Sequence, residues 1–414
     1  MLVQGEPEAD PLDPLPVVGL VVRVGDDEEH GGVDIARLIG DPQVELEVGP
    51  VVRQPIDDLL EGGGQCHQRE AYRDDDRPAR APSRRAGASD AKNPVLYARR
   101  VAVATVDPHY RAATEGVALL DRSDAGKLAL SGTAAVEFLN SVLSNDIAAI
   151  TVGAGLDAAL LTHNGRMLAE VRVLRTPDEL LLDTERVALQ ALFDALAQFR
   201  VGYAAQLHKR TLQCGLLSLI GPAVDAMLEC PPGAAEHDHL ATALAGSAVR
   251  LVRTEVGVDV LCASEDTEAV TAELVARGAT PIGDQAAETI RIERGRPRFG
   301  VEIDATTMPQ EAGLHERVVS YTKGRYIGQE TVARLYWKGR PNRHLRGLAL
   351  SEPVAPGAAL TLGDRPVGTL GSCVNSPAFG PIGLALLRRE AQPGSVLTVA
   401  GGGASATVVE LPFG

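Results

Sequence analysis

The pattern of apolar and polar positions divides the chain near Asn93. Before it, charge clusters such as Asp26–Glu29 and Asp74–Arg77 interrupt every apolar run, and neither a 3.6-residue nor a 2-residue period is sustained. Val17–Val24 and Val44–Val52 predict short strands, while residues 73–92 read as a disordered linker. From Asn93 onward the texture changes. Val136, Leu139, Val142 and Leu143 share one face of a helix over Ser131–Asn145, with Ser131 or Thr133 as its N-cap. Strand-like runs at Leu156–Thr162 and Met167–Arg175 flank Asn164-Gly165, which predicts a hairpin with a type I′ turn. Leu180–Leu182 adds a strand and Val187–Phe199 an alanine-rich helix.

A second set of strands and helices follows. Thr211–Ile220 reads as a strand, Gly221-Pro222 punctuates it, and a helix runs to about Leu228. Val249–Arg253 and Val258–Cys262 form a strand pair, followed by helices over Glu265–Arg277 and Asp284–Arg294. From Leu345 the chain becomes short β segments separated by Gly and Pro: Leu345–Leu350, Ala359–Leu362, Pro366–Val374, Ile382–Leu387, Val396–Val399 and Ala406–Leu411. That pattern predicts a small antiparallel barrel. The expected organisation is an acidic extension of low order over residues 1–92, an α/β body of two similar halves over 93–342, and a β-barrel domain over 343–414.

Composition narrows the chemistry. Aromatic residues make up only 3% of the chain, which argues against base-stacking platforms for nucleic acid. Residues 1–92 hold 20 acidic and 10 basic side chains, whereas 93–414 hold 35 and 30. The larger part is therefore close to neutral and exerts no global pull on DNA or RNA. The five cysteines are scattered, with no CxxC pair, so a disulfide framework or zinc site is not expected and the default is a reduced, cytoplasmic protein. No signal peptide or membrane span is predicted. His237-Asp-His239 lacks a third ligand at metal spacing and reads as surface. There is no GxGxxG, Walker or Gly-x-Ser-x-Gly motif.

The most unusual stretch is Tyr321-Thr-Lys-Gly-Arg-Tyr-Ile-Gly-Gln-Glu330. Gly324 and Gly328 permit a tight backbone path, Lys323 and Arg325 offer charge to an anion, and Gln329 and Glu330 offer an amide and a carboxylate. From local chemistry alone, a solvated turn into a helix near Gln329 explains it equally well. Lys323–Arg346 also carries seven cations against Glu330 alone, with Tyr336 and Trp337 among them. A basic loop, an anion-binding track and an RNA- or protein-binding surface all fit that run.

Lys323-Gly-x-Tyr-Ile-Gly-Gln-Glu330 resembles the signature of the YgfZ-type folate-binding proteins, within the superfamily of the glycine-cleavage T-protein, an aminomethyltransferase. Phe138–Asp146, Leu160–Leu168, Arg291–Gly295, Pro309–Leu314, Gly368–Pro377 and Ile382–Ala385 resemble further superfamily segments in the same order, from Asn93 to the C-terminus. The resemblance implies an α+β fold with two similar halves around a central folate cavity and a C-terminal barrel. It implies tetrahydrofolate, or a one-carbon-substituted derivative, as cofactor. Asp146 matches the superfamily's key acid near the folate nitrogens. Glu255 matches an acid that reads the pterin's amino edge, although the glycine before that acid is missing here. Arg291 matches an arginine near the folate; its plain alternative is a helix-face ion pair. Lys323, Arg325, Tyr326, Gln329 and Glu330 are the signature's candidate binding residues. Arg325 stands where the family usually has cysteine, and a guanidinium cannot act as nucleophile, redox group or metal ligand. The implied role is an accessory one in iron–sulfur cluster assembly or repair, with iron–sulfur proteins as clients. The alternative is an aminomethyltransferase acting on a lipoyl carrier protein, in which Asp146 would be catalytic.

Overall fold

The computed structural model describes residues 107–401 and 403–414; the expectations placed on residues 1–92 lie outside them. The first helix, α1 (Pro108–Glu115), starts on Asp107, whose side chain accepts from His109 N, and proline opens its first turn. A short strand, β1 (Ala118–Asp121), follows.

The first half then runs β2 (Gly126–Ser131), α2 (Ala135–Val142), β3 (Gly155–Leu161), β4 (Met167–Arg175), β5 (Glu179–Thr184), α3 (Leu189–Phe199) and β6 (Gln206–Lys209). Its strands form an antiparallel sheet in the order β3-β4-β5-β2-β6. The second half repeats the same sequence of elements: β7 (Cys214–Ile220), α4 (Val224–Met227), β8 (His239–Leu244), β9 (Ser247–Thr254), β10 (Gly257–Ala263), α5 (Thr267–Ala276) and β11 (Thr280–Pro281). Its sheet has the order β11-β1-β7-β10-β9-β8. The place beside the central strand, held by β6 in the first sheet, is taken in the second by β1 from the start of the described chain.

Apolar residues on one face of each sheet cover the helices. In the first half Phe138, Leu139, Leu192 and Leu196 pack onto Val171, Val173 and Leu182. In the second, Val270 and Leu274 pack onto Leu217, Leu251 and Val260. The chain after α6 (Asp284–Glu293) returns to the first half, where Phe299, Ile303, Leu314, Val318, Tyr326 and Val332 enter its core. Helix α7 (His315–Val318) and helix α8 (Gln329–Lys338) belong to this returning segment. Strands β12 (Arg343–Leu350), β13 (Ala359–Leu362), β14 (Arg365–Ser376), β15 (Gly380–Arg388), β16 (Val396–Val399) and β17 (Ser405–Val409) close into a barrel, in the order β12-β15-β14-β13-β16-β17. No described helix is long and apolar enough to cross a membrane.

The opposite faces of the two sheets are polar and meet. Register places Asp157, Arg172 and Asp183 abreast on β3, β4 and β5, with Ala159 and Glu170 beside them on the same face. On the second sheet His239, Val252, Asp259 and Ser218 are abreast. Arg172 bridges the two, at 2.7 Å from both Asp183 Oδ2 and Asp259 Oδ2. Burial acts most strongly on Asp259 and pushes its pKa up, but Arg172, Arg122 and the Ser218 hydroxyl together hold it below the ordinary value.

Three local expectations are corrected. The helix expected over Ser131–Asn145 starts at Ala135, with no side-chain cap. Gly132 has φ +109°, and a Cβ there would lie 2.4 Å from Ala204 O, so the chain is extended against a neighbouring segment before it can coil. The β3–β4 hairpin exists but is not type I′. Only Gly165 has positive φ, and Gly165 N donates to Thr162 O across a type I turn followed by a left-handed glycine. His237 and His239 are buried, not on the surface. His239 opens β8 on the polar seam, and His237 turns its imidazole onto Asp157, at 3.3 Å.

Candidate functional site

Three of the segments singled out in the sequence fold against one another. Helix α2 ends at Val142 with Leu143 as its extended C-cap, and the chain turns through Asn145. The Asn145 amide donates to Asp157 O (2.7 Å) and Arg317 O (2.9 Å), which pins the turn. Asp146 then caps the short 3-10 turn Ile147–Ala149, accepting from Ala149 N at 3.3 Å, and stays half-buried.

Lys323 reaches the same turn from the signature segment. Its Nζ donates to Asn140 O (2.6 Å), Leu143 O (2.8 Å) and Asn145 O (2.7 Å). These are carbonyls left over at a helix end, where the dipole favours a cation. Burial lowers the Lys323 pKa to about 8, against the opposing charge of Asp146. Every ammonium donor is therefore spent on the backbone that precedes Asp146.

Farther along, Gly328 has φ +82°, and a Cβ there would lie 2.4 Å from Thr162 O. Gly165 in the hairpin is less crowded but still tight, since its Cβ would meet the Val332 side chain at 3.0 Å. The two glycines let the signature lie directly on the β3–β4 turn. Tyr326 is buried in the first core, and its hydroxyl has no protein partner. Gln329 Nε2 makes a long contact of 3.5 Å with Gly324 O. Arg325 and Glu330 are exposed and make no ion pair among the described residues.

Arg291 is placed elsewhere. It donates to Glu288 and Glu302, to Ser372 Oγ of the barrel at 2.7 Å, and to Arg296 O. Its fork ties α6 to the barrel.

Glu255 lies on the wall of a cleft of about 620 Å³ in the second half. Its lining combines apolar Ala113, Ile220, Val224, Val256 and Ile290 with charged Asp225, Glu236, Arg253, Glu293 and Arg294. Glu255 sits on the turn between β9 and β10, held by Arg294 at 3.4 Å and by Arg296. The accessible lining is more polar than apolar, so a ligand here would be held largely by hydrogen bonds and charge, with the apolar residues offering a face for a flat ring.

Arg317 connects the two regions. Its guanidinium pairs with Asp157 and with Glu236 of the cleft, and its carbonyl holds Asn145. Asp157, Glu236 and His237 place their ligand atoms within 4.8 Å of one another, a donor set suited to a cation; Arg317 already supplies that charge. Glu170 lies close by, its pKa raised to about 8 by burial and by the Asp157 charge. His239 is pushed down to about 4 by burial and by Arg250, so the neutral ring accepts from Arg250 at 2.9 Å.

Sequence reasoning missed Asp157, Glu170, Arg317 and Glu236. For the first two a signal existed, because they interrupt otherwise apolar strand runs.

Residues 84–323 match the family described as the GCVT N-terminal domain. The chain belongs to the GCVT family. The match covers the two halves and reaches Lys323. Residues 343–412 match a second description, the CAF17 C-terminal β-barrel domain. An aminomethyltransferase of Mycobacterium leprae is 30% identical over 340 residues, covering 77% of this chain and 90% of the relative. A chloroplast protein of Arabidopsis thaliana, named as a transferase, is 28% identical over 311 residues, covering 72% and 71%. The crystal structure of the glycine cleavage system aminomethyltransferase T of Bartonella henselae superposes with a TM-score of 0.67 at 23% identity, over 74% of this chain and 88% of that one. That likeness bears on the fold, and it agrees with the halves-plus-barrel expectation.

Proposed function

We propose that this GCVT-family protein binds a tetrahydrofolate-type cofactor along the path from the Glu255 cleft to Asp146. The observation that carries the proposal is the convergence of three separate motif segments on the Asp146 turn, with Arg317 linking that turn to the cleft rim. Glu255 is suited to the amino edge of a pteridine, which offers paired donors to a carboxylate. Asp146 has a carboxylate oxygen beyond its cap bond, and it can accept from a nitrogen that carries the one-carbon group. The fit is supported by the cleft volume and by the mixture of charged and apolar side chains that lines it. Lys323 and Gly328 position the Asp146 turn, and Arg291 joins body to barrel. None of the three needs to touch the ligand.

Within that reading we favour an accessory protein that serves iron–sulfur enzymes. The Lys323–Glu330 signature and the CAF17-type barrel support it. An aminomethyltransferase acting on a lipoyl carrier is the second reading, supported by the aminomethyltransferases among the relatives.

Calorimetric titration of the full chain with 5-formyltetrahydrofolate tests the binding step. Saturable binding with a Kd of roughly micromolar order is expected, weakened about tenfold or more by Glu255→Gln. A wild-type chain with no saturable binding would refute the folate reading. Tetrahydrofolate-dependent ammonia release from an aminomethyl-lipoyl carrier separates the two roles, and its presence would decide for the transferase.

A further inference from the structure

A second cleft of about 620 Å³ lies where the β3–β4 hairpin, the loop from Thr306 to Glu311 and the barrel meet. Arg166, Arg343, Arg365, Arg388 and Arg389 line it, together with Glu311 and Glu390. Both glutamates are already neutralised: Arg343 pairs with Glu311 at 2.8 Å and Arg365 with Glu390 at 3.0 Å. Asp304, the other acid near Arg343, accepts from Thr306 and Thr307. Arg166, Arg388 and Arg389 make no salt bridge among the described residues, and Arg388 and Arg389 share with Arg365 the field of the single Glu390 carboxylate. The chain as a whole is acidic, at −15, so this local excess of cations runs against its overall balance.

The guanidiniums are also held together at a cost. Arg166 and Arg343 both donate to the same carbonyl, Thr306 O. Arg343 of β12 stands directly across from Arg388 of β15 in the barrel ladder. Like charges at directly opposed positions destabilise a strand pair unless something between them is negative.

We propose that this cleft binds a tetrahedral oxyanion of at least two charges, the phosphate group of a small phosphorylated molecule. A planar carboxylate presents two oxygens and satisfies one or two forks. A phosphate presents three or four, enough for the forks of Arg166, Arg388 and Arg389 together. The volume lies within the range of small-molecule sites. This site is separate from the Glu255 cleft and does not depend on the folate reading.

The test is calorimetric titration of the full chain with pyrophosphate at low ionic strength, with citrate as a carboxylate control of comparable charge. Saturable pyrophosphate binding is expected, about tenfold or more tighter than citrate. The Arg388→Gln/Arg389→Gln variant should lose at least about tenfold in affinity, and so should Arg166→Gln, which lies on the other wall. Both variants should keep the wild-type melting curve and 5-formyltetrahydrofolate response. Absence of saturable pyrophosphate binding, unchanged affinity in both variants, or citrate binding as tightly would overturn the proposal.

Discussion

The two halves of the body share one order of elements and differ in what the rest of the chain adds to them. The second half receives β1 at the edge of its central strand and carries the cleft walled by Glu255. The first half receives residues 299–332, which complete its core and carry the signature segment onto its hairpin. Their seam faces differ too. The first sheet presents Lys127, Asp157, Glu170, Arg172 and Asp183, whereas the second presents Asp259, Ser218 and His239 among apolar neighbours. A repeated framework thus acquires different chemistry on each side through later additions of chain. The candidate site lies where the returning segment touches both halves, through the pairs of Arg317 with Asp157 and Glu236.

The strongest way to break this arrangement is to remove the ion that joins the sheets. Arg172→Leu leaves Asp183 and Asp259 buried without their cation, and is expected to cost about 3–5 kcal/mol in urea denaturation. Substituting both acids by asparagine in the same chain should recover much of that loss, since the penalty comes from the stranded charges. A wild-type midpoint for Arg172→Leu would mean that the seam is not what holds the halves together.

Next in size, Gly328→Ala attacks the addition specific to the first half. The new Cβ must displace Thr162 O from 2.4 Å at a φ that alanine disfavours, so a loss of about 2 kcal/mol or more is expected by thermal melting. The same substitution at Gly278, where φ is +107° and nothing lies within 4 Å, carries the conformational cost without the clash and should lose less.

Lys323→Met sharpens the comparison by removing three bonds to the Asp146 turn, at about 1–3 kcal/mol. Its pH signature is more specific. Because the folded pKa is about 8, below the ordinary 10.5, the folded protein releases this proton before the unfolded chain does. Stability therefore gains from pH about 8 upward to the unfolded value, while the neutral amine can donate only two bonds. Folate affinity in the wild type should fall through about pH 8, and Lys323→Met should lack that step. The smallest effect belongs to Arg325→Cys, which installs the cysteine usual in the YgfZ-type signature that this segment resembles. The position is exposed, so stability should stay within about 0.5 kcal/mol in the same melts.

Much of this framework is written in local periodicity. Met167–Arg175 and Ala359–Leu362 match the observed strands at both ends, and the helix after β9 and β10 is offset by two residues at its start because a 3-10 turn, Ser264–Asp266, precedes it. Ala118–Asp121, Gly126–Ser131 and Gln206–Lys209 carried no strand prediction. They are short, and their pairing partners lie far along the chain, so no alternation within them is long enough to read. The burial of His237 and His239 was equally hidden. Their partners, Asp157 and Arg250, are supplied by other strands, and His237 depends on a left-handed turn at φ +69°. At the site, Asp146 and Glu255 were nominated from motif likeness, and the structure links their neighbourhoods through Arg317, which no local pattern marks. Lys323 was nominated as a charge for an anion, and Arg291 as an arginine near the folate with a helix-face ion pair as its alternative. Their donors proved to be committed within the protein, a matter of third-dimensional neighbours rather than of residue type.

The most direct test is amide hydrogen exchange of the full chain with and without saturating 5-formyltetrahydrofolate. The account predicts new protection in two places at once, Asn145–Ala149 beside Asp146 and Thr254–Gly257 at the cleft wall, with the barrel strands unchanged. Protection confined to the barrel or to the Arg388 cleft, or none at either predicted segment under saturating ligand, would contradict it.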